Sequence, residues 1–232
     1  MGSLGLIIII GVAILSFIVQ ARFKSKFREY SETPLLSGMT GRDVAEKMLN
    51  DHGIYDVQII SVEGSLSDHY NPQNRTVNLS PEVYHGRSIA AAAVASHECG
   101  HAVQHAKAYS WLQFRSAMVP VVSIAANLLQ WVFMLGIIMA ASSFGYNLLL
   151  IAFGAMVVMT VFSLVTLPVE FDASNRALAW LQSNRGIMQT SVEHDKAKNA
   201  LWWAAMTYVV AALGSLAQLL YIAMMLFGGR RD

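Results

Sequence analysis

Residues 116–169 read SAMVPVVSIAANLLQWVFMLGIIMAASSFGYNLLLIAFGAMVVMTVFSLVTLPV, and this stretch decides the fold class. Its 54 residues include no Asp, Glu, Lys, Arg or His. A run of this length has no side suited to water, whereas a bilayer core about 30 Å thick takes about 20 apolar residues per helix. The turn-forming residues 142–147 divide the run. We therefore predict two membrane spans, at 119–141 and 148–167.

Two more segments without a charged residue lie at 1–21 and 201–229. Each provides one further span, so the sequence predicts four transmembrane helices. Four basic residues between positions 22 and 28 follow the first segment, and none precedes it. Since a secretory signal carries its positive charge before the apolar run, we interpret the first segment as a retained anchor.

Composition and charge exclude several classes of protein. The chain is 55% hydrophobic and 13% charged, and its charged residues all lie outside the three apolar segments. This pattern excludes a fully soluble or disordered chain, and one cysteine, Cys99, cannot form an internal disulfide framework. A net charge of +1 provides no electrostatic basis for binding nucleic acid.

The basic residues also predict the orientation in the membrane. Fourteen of the 16 Lys and Arg residues fall within 22–117 and 168–200, and the other two are Arg230 and Arg231. The positive-inside rule places the two polar regions in the cytoplasm and the N-terminus outside. Because two spans separate these regions, they share one face of the membrane and can build one site.

The first polar region shows signals for an α+β fold. Thr40 suits a helix N-cap, and Asp43 suits the first turn of that helix. Runs of β-branched residues predict strands, and an Ala-rich run predicts a long helix. The predicted elements are a helix that begins after Thr40, strands at 56–62 and 76–79, a short helix from Ser80-Pro81 to Gly86, and a long helix over about 88–107.

The motif that carries chemistry lies on the long helix and reads His97-Glu98-Cys99-Gly100-His101, an H-E-x-x-H pattern. Histidines four residues apart lie one helical turn apart, so both imidazoles can reach one zinc ion at about 2.0–2.1 Å. Glu98 then points beside the ion, where it can take a proton from a metal-bound water. This arrangement is typical of metal-assisted hydrolysis.

Glu170 is the predicted third metal ligand. It directly follows the third span, on the same face as the two histidines by the count of crossings. Pro168 suits a helix start, which would place Glu170 in a first helical turn. A first-turn carboxylate that complements the helix dipole is the alternative interpretation. Asp172 is the substitute ligand if the register differs.

The strand at 76–79 precedes the motif and is the candidate for binding the substrate. A metallopeptidase holds its substrate as an added strand at a sheet edge, so that main-chain hydrogen bonds present the scissile carbonyl to the metal. We predict that 76–79 is that edge, and an ordinary strand of a small sheet is the alternative. The predicted substrate-binding residues are Thr76, Val77, Asn78 and Leu79.

Several motifs in combination resemble the YugP-type family of membrane zinc metallopeptidases. They are 68–72 (DHYNP), 77–80 (VNLS), 97–105 (HECGHAVQH) and 170–176 (EFDASNR). The resemblance covers essentially the whole chain, and it extends more distantly to the HtpX-like and CAAX-prenyl endopeptidases of the gluzincin class. It implies a neutral zinc endopeptidase of gluzincin type. In such an enzyme His97, His101 and Glu170 bind zinc, and Glu98 is the catalytic base.

The chain departs from the HtpX-like pattern at one position. That family usually has Asp four residues after the ligand Glu, and this chain has Ser174. A hydroxyl cannot supply the same charge. We therefore expect the hydrogen-bonding support of the ligands to pass to Asn175 or Asp172, or to be absent.

Other polar residues are candidates for supporting the ligands or for stabilising the oxyanion that forms during hydrolysis. His105 lies one turn after His101, and we interpret it as a surface histidine or as a support for the site. Cys99 points away from the face shared by the two histidines, so we expect a buried thiol without a catalytic role. The candidates for the oxyanion donor are His69, Tyr109, Arg176 and His194.

The sequence thus predicts an integral membrane protein, mainly α, with four transmembrane helices and a small cytoplasmic α+β metallopeptidase region. The expected cofactor is Zn²⁺. The expected partners are the lipid bilayer and a peptide or protein substrate, membrane proteins included, but no nucleic acid; the oligomeric state stays open. The predicted domains are a transmembrane anchor at 1–21, the metallopeptidase region at 22–117, a transmembrane hairpin at 118–167, a cytoplasmic segment with the third ligand at 168–200 and a transmembrane helix at 201–229.

Two alternatives belong to other classes of protein. An intramembrane protease of the site-2 type carries its H-E-x-x-H motif inside a spanning helix, whereas Arg87, His105 and Lys107 flank the motif here. A non-catalytic membrane scaffold uses a structural zinc site, which is closed by four protein ligands, often cysteines. Three ligands are evident in this sequence, so hydrolysis is the favoured function.

Overall fold

The computed structural model describes residues 2–139 and 142–228, and within these the chain is mainly helical with one small sheet. The elements are, in chain order, α1 (Gly2–Ser31), α2 (Gly41–Asp51), β1 (Gln58–Ser61), β2 (His69–Asn71), β3 (Thr76–Leu79), α3 (Pro81–Tyr84), α4 (Ile89–Ala106), α5 (Ser110–Ile138), α6 (Ser143–Ser183) and α7 (Ser191–Phe227).

Four of the described helices, α1, α5, α6 and α7, are long and apolar enough to cross a membrane. This number agrees with the four spans predicted from the sequence. The ends of two predicted segments, 140–141 and 229, lie outside the described residues. Each helix extends beyond its apolar segment into polar sequence at one end, as α1 does toward Ser31.

Helix α6 differs from the prediction at Pro168. The sequence predicted a helix start there, but α6 continues through Pro168 to Ser183. A proline removes one backbone donor, and apolar helices tolerate this when neighbouring groups satisfy the freed carbonyl. Glu170 therefore lies inside a helix and not in a first turn. The alternative in which its carboxylate complements a helix dipole is thus wrong.

The chain divides into two compact units, each with a buried apolar cluster. The first unit consists of the described residues within Met1–Val19, Phe114–Leu167 and Thr207–Asp232. Its helices α6 and α7 share a cluster that includes Met156 and Ile222. The hydroxyls of Ser163 and Ser215 add a hydrogen bond of 2.7 Å between the same two helices. Such polar contacts are typical of packing between apolar helices.

The second unit consists of Gln20–Gln113 and Pro168–Met206, and it contains the sheet and helices α2 to α4. Helix α2 begins where the sequence predicts. Thr40 accepts a hydrogen bond from the Asp43 N–H, and the Asp43 carboxylate accepts one from the Thr40 N–H, which completes a capping box. The buried face of α2, including Met48, packs against α4 in the core of this unit.

The sheet corrects the prediction for residues 76–79. The strand itself is confirmed, but the strand order is β1-β3-β2, so β3 is central and its predicted edge position is wrong. All four side chains of β3 are buried, and its main chain pairs with β1 on one side and β2 on the other. Thr76, Val77, Asn78 and Leu79 therefore offer no free main-chain edge to a substrate strand.

Buried contacts explain why this strand is central. Val77 and Leu79 lie fully in the apolar core. The Asn78 side-chain amide donates to Thr76 Oγ1 at 3.0 Å, and the Thr76 hydroxyl donates in turn to Asn74 Oδ1 at 3.2 Å. The edges of the sheet are β1 and β2.

Candidate metal centre

Helix α4 carries the H-E-x-x-H motif and lies where the sequence predicts it. Ser88 is its N-cap and accepts a hydrogen bond from the Ala91 N–H at 3.1 Å. Alanines make up much of its first half, and their small side chains allow the helix to be buried. Among the described helices, α4 is not one of those suited to crossing a membrane.

Gly100 permits a close approach of α4 to α6. A Cβ atom at this position would lie 2.5 Å from the backbone oxygen of Ala173, which is too short for any real Cβ contact. Gly100 lies between the two histidines, and Ala173 lies three residues after Glu170, so the two helices approach each other beside the candidate ligands. This role was not predicted from the sequence. A glycine inside a helix was the available signal.

The approach of the helices brings His97, His101 and Glu170 together. One ligand atom of each side chain lies within 4.8 Å of the other two. Glu170 Oε2 is 3.3 Å from His97 Nε2 and 3.6 Å from His101 Nε2. His101 and Glu170 are buried, and His97 is half-buried.

These positions fit a zinc ion. Glu170 Oε2 is buried and receives no hydrogen bond from any residue that the structure describes, which is costly for a carboxylate without a bound cation. Ligand atoms at about 2.0–2.1 Å from a tetrahedral zinc lie about 3.3 Å from one another. The distances of 3.3 and 3.6 Å from Glu170 Oε2 to the Nε2 atoms of His97 and His101 are close to this value.

The group contains three candidate ligands. Within residues 2–139 and 142–228, no fourth His, Cys, Asp or Glu joins the group. A tetrahedral ion held by three protein ligands keeps one position for water or substrate, as catalytic zinc sites do. The four-ligand site that the scaffold alternative needs is therefore not formed by the described residues.

Glu98 and Cys99 follow His97 on α4 and differ in their surroundings. Glu98 is buried, and this burial raises the pKa of its carboxyl, while the nearby His97 and His101 act in the opposite direction. Cys99 turns its thiol toward the Ala45 backbone oxygen of α2 at 3.6 Å, and burial raises the thiol pKa. The prediction of a buried thiol is confirmed, and a thiol that stays protonated is a poor nucleophile.

Each candidate histidine ligand has a partner at its other ring nitrogen. Ser174 Oγ lies 3.1 Å from His97 Nδ1, and Gln104 Oε1 lies 3.0 Å from His101 Nδ1. We expected that the residue at position 174 would not support a ligand by hydrogen bonding. This expectation is wrong, because a neutral hydroxyl at this position can hydrogen-bond the ring of His97 without carrying a charge. Gln104 was not predicted from the sequence, although its position three residues after His101 on a helix was an available signal.

Asp172 contacts Gln104 and is not one of the three grouped candidate ligands. Asp172 Oδ2 accepts hydrogen bonds from Gln104 Nε2 at 2.8 Å and from Arg176 Nε at 2.5 Å. Its carboxylate is therefore occupied by two donors. Asn175, the other expected support, has an exposed side chain.

The remaining candidates for support or for the oxyanion donor contact other groups. The contacts are His105 Nδ1 with Tyr70 OH at 2.7 Å, the Arg176 guanidinium with the ring of Tyr109, His194 Nε2 with the Leu178 backbone oxygen at 3.2 Å, and His69 Nδ1 with the Ser67 backbone oxygen at 2.8 Å. None of these five candidate residues is part of the group formed by His97, His101 and Glu170. Their roles stay predictions.

Comparison with known proteins agrees with this geometry. The family model described as "Putative neutral zinc metallopeptidase" matches residues 5–227. The "Putative membrane protease YugP" of Bacillus subtilis (strain 168) is 43% identical over 218 residues, which cover 94% of this chain and 94% of that protein. No solved structure matches the chain. The chain therefore belongs to the neutral zinc metallopeptidase family that the first of these comparisons identifies.

Proposed function

We propose that this chain is a membrane-embedded zinc metalloendopeptidase of gluzincin type, in which His97, His101 and Glu170 hold the zinc ion. One observation carries the proposal. Glu170 Oε2 is buried, faces the Nε2 atoms of both histidines and has no hydrogen-bond partner among the described residues. A bound cation provides the partner that this carboxylate oxygen otherwise lacks.

The residues around the metal have distinct roles in hydrolysis. When bound, zinc supplies a Lewis acid that polarises a carbonyl and lowers the pKa of water to about 7. Glu98 takes the proton from the attacking water and delivers it to the leaving amine. It suits this role because it lies on α4 between the two histidine ligands, in a buried position where few water molecules compete for the proton.

The substrate binds at the edge strand β2, and not at residues 76–79 as predicted from the sequence. One side of β2 pairs with β3, and the other side is an edge of the sheet. Tyr70 of β2 is joined to His105 on α4 by a 2.7 Å hydrogen bond, so this edge is held against the helix that carries the motif. A substrate that adds to β2 as a strand runs along that helix.

The position of Glu170 in the sequence supports a substrate that is itself a membrane or membrane-associated protein. The charge-free stretch ends at residue 169, and Glu170 follows it directly. A ligand so close to the end of an apolar segment serves peptide bonds near the bilayer surface. The excess of Lys and Arg in the polar regions supports placing the active site on the cytoplasmic face, with the N-terminus outside.

The test compares Glu98→Gln with Glu46→Gln in the full-length protein reconstituted in vesicles. The probes are fluorescent casein and a labelled transmembrane-helix peptide with polar flanks. Glu98→Gln should keep one zinc per chain and lose hydrolysis by about 100-fold or more, because the proton acceptor is gone. Glu46→Gln makes the same chemical change at an exposed position of α2 and should match the wild type.

The outcomes separate the parts of the proposal. Undiminished hydrolysis by Glu98→Gln removes Glu98 as the base. Zinc binding without hydrolysis of any probe by the wild type contradicts the endopeptidase assignment. Cleavage of casein that is equally fast in detergent and in vesicles, with no cleavage of the membrane peptide, contradicts the proposed substrate class.

A further inference from the structure

Gln104 has a fully buried side chain in the last turn of α4, and both of its polar atoms are used. The amide nitrogen Nε2 donates to the Val169 backbone oxygen and to Asp172 Oδ2, each at 2.8 Å. The amide oxygen Oε1 lies 3.0 Å from His101 Nδ1. A backbone oxygen and a carboxylate only accept hydrogen bonds, so the NH₂ group must face them. The oxygen must then face His101.

This orientation determines where the proton of His101 lies. An amide oxygen only accepts, so the hydrogen bond to it requires a proton on His101 Nδ1. In the neutral ring, Nε2 then carries the lone pair. Nε2 is the atom that lies 3.6 Å from Glu170 Oε2. The amide of Gln104 thereby prepares the ring nitrogen that a metal ion needs.

The same amide also contacts the helix that supplies the third ligand. Val169, whose backbone oxygen it binds, immediately precedes Glu170 on α6. Asp172, its second acceptor, is held in turn by Arg176. The amide oxygen of Gln104 therefore contacts a candidate ligand of α4. Its amide nitrogen contacts the backbone beside the candidate ligand of α6.

We propose that Gln104 is a positioning residue for the metal centre: it selects the His101 tautomer that binds through Nε2 and holds α6 at the register that aims Glu170 at the same point. The inference rests on the proposed zinc site. The hydroxyl of Ser174 beside His97 differs from this amide, because a hydroxyl can donate or accept and so selects no tautomer.

The test compares Gln104→Met with Asn199→Leu in the full-length protein. Methionine keeps the approximate volume of Gln104 and removes its three hydrogen bonds. Asn199→Leu is the matched control, because it removes a side-chain amide that accepts from Tyr30 OH at 3.1 Å in the same unit, without contact to the ligands. The first measurement is the zinc Kd by chelator competition. The second is the ¹⁵N spectrum of the His101 ring in metal-free protein, at a pH where the ring is neutral.

We expect Gln104→Met to raise the zinc Kd by about 10–100-fold, the range typical for partners of metal ligands. We also expect it to replace the single Nδ1-protonated His101 signal by a mixture of tautomers. Asn199→Leu should change neither measurement. A Kd within about twofold of the wild-type value overturns the inference, as does a wild-type His101 signal from the Nε2-protonated tautomer.

A second variant keeps the inference testable if Gln104→Met does not fold. Asp172→Ala removes one of the two acceptors that orient the amide, so it should raise the zinc Kd by a smaller factor, up to about 10-fold. An unchanged Kd and an unchanged His101 signal in that variant overturn the inference. If the wild-type chain binds no zinc, the proposed function itself fails. If it binds zinc and Gln104→Met binds it equally well, only the role of Gln104 fails.

Discussion

The two helices that supply the candidate ligands are built differently. Helix α4 has 18 residues, a capped N-terminus and a largely buried surface. Helix α6 has 41 residues, begins in an apolar segment and carries Glu170 beyond Pro168. The two ligands of α4 are related by the spacing of one helix, whereas the ligand of α6 meets them only because two helices pack together. The two histidines are thus positioned by one helix, whereas Glu170 is positioned by the interface between two helices.

The largest effect is expected at the ligand of α6. Glu170→Gln removes the charge that faces the two histidines, so the zinc Kd should rise by more than the roughly 100-fold upper range for losing a partner of a ligand. Asp172→Asn, two residues along the same helix, changes a carboxylate that contacts Gln104, so its zinc Kd should stay within about 10-fold of the wild type. Chelator competition measures both values. Loss of zinc in Asp172→Asn but not in Glu170→Gln would mean that α6 supplies a different ligand.

The interface between the two helices is tested by Gly100→Ala. The added methyl would lie 2.5 Å from the Ala173 backbone oxygen, so the helices must separate. Overpacking of this kind typically costs about 1–3 kcal/mol of unfolding free energy. We expect a lower thermal unfolding temperature and weaker zinc binding, because Glu170 moves away from the histidines.

Gly154→Ala is the matched control for this substitution. Apart from its chain neighbours and the adjacent backbone of α6, no described atom lies within 4 Å of a Cβ at position 154, and alanine is favoured over glycine inside a helix by about 0.5–1 kcal/mol. Its unfolding temperature should equal or exceed that of the wild type. If Gly100→Ala behaves in the same way, the close approach of α4 and α6 is not required for the site.

The smallest effect is expected from Ser174→Ala. The variant removes one neutral hydrogen bond to His97 Nδ1, so the zinc Kd should rise by about 10-fold or less. Ser183→Ala, which removes a hydroxyl bonded to the Trp180 backbone oxygen within the same helix, is the control and should leave the Kd unchanged. If Ser174→Ala raises the zinc Kd as much as is expected for Gln104→Met, the supports on α4 and α6 contribute equally to zinc binding.

The α4 half of the site was predictable from the sequence because it depends on local spacing. His97 and His101 lie one turn apart in any helix, and the Ala-rich run and Ser88 predict that helix within one residue at each end. The four apolar helices were equally predictable, since the absence of charge over a long run is visible in composition. The capped start of α2 at Thr40 follows from local chemistry too.

The errors concern features that depend on distant parts of the chain. Pro168 favours a helix start locally, but the helix continues through it, which moves Glu170 into a helix interior. Residues 76–79 form a strand as predicted, yet pairing with two other strands makes that strand central. No sequence motif indicates what Gly100 and Gln104 contact, because the residues that they contact lie on α6.

Residue types and their local spacing predict four apolar helices, a polar region of mixed helix and strand, and two histidines placed to share a metal ion. These features follow from residue type and from spacing along one segment. The folded arrangement adds that Glu170 faces both histidines, that β2 forms the sheet edge held against α4, and that one buried amide joins α4 to α6. These features arise when segments far apart in the chain pack together, and local residue patterns do not specify which surfaces meet.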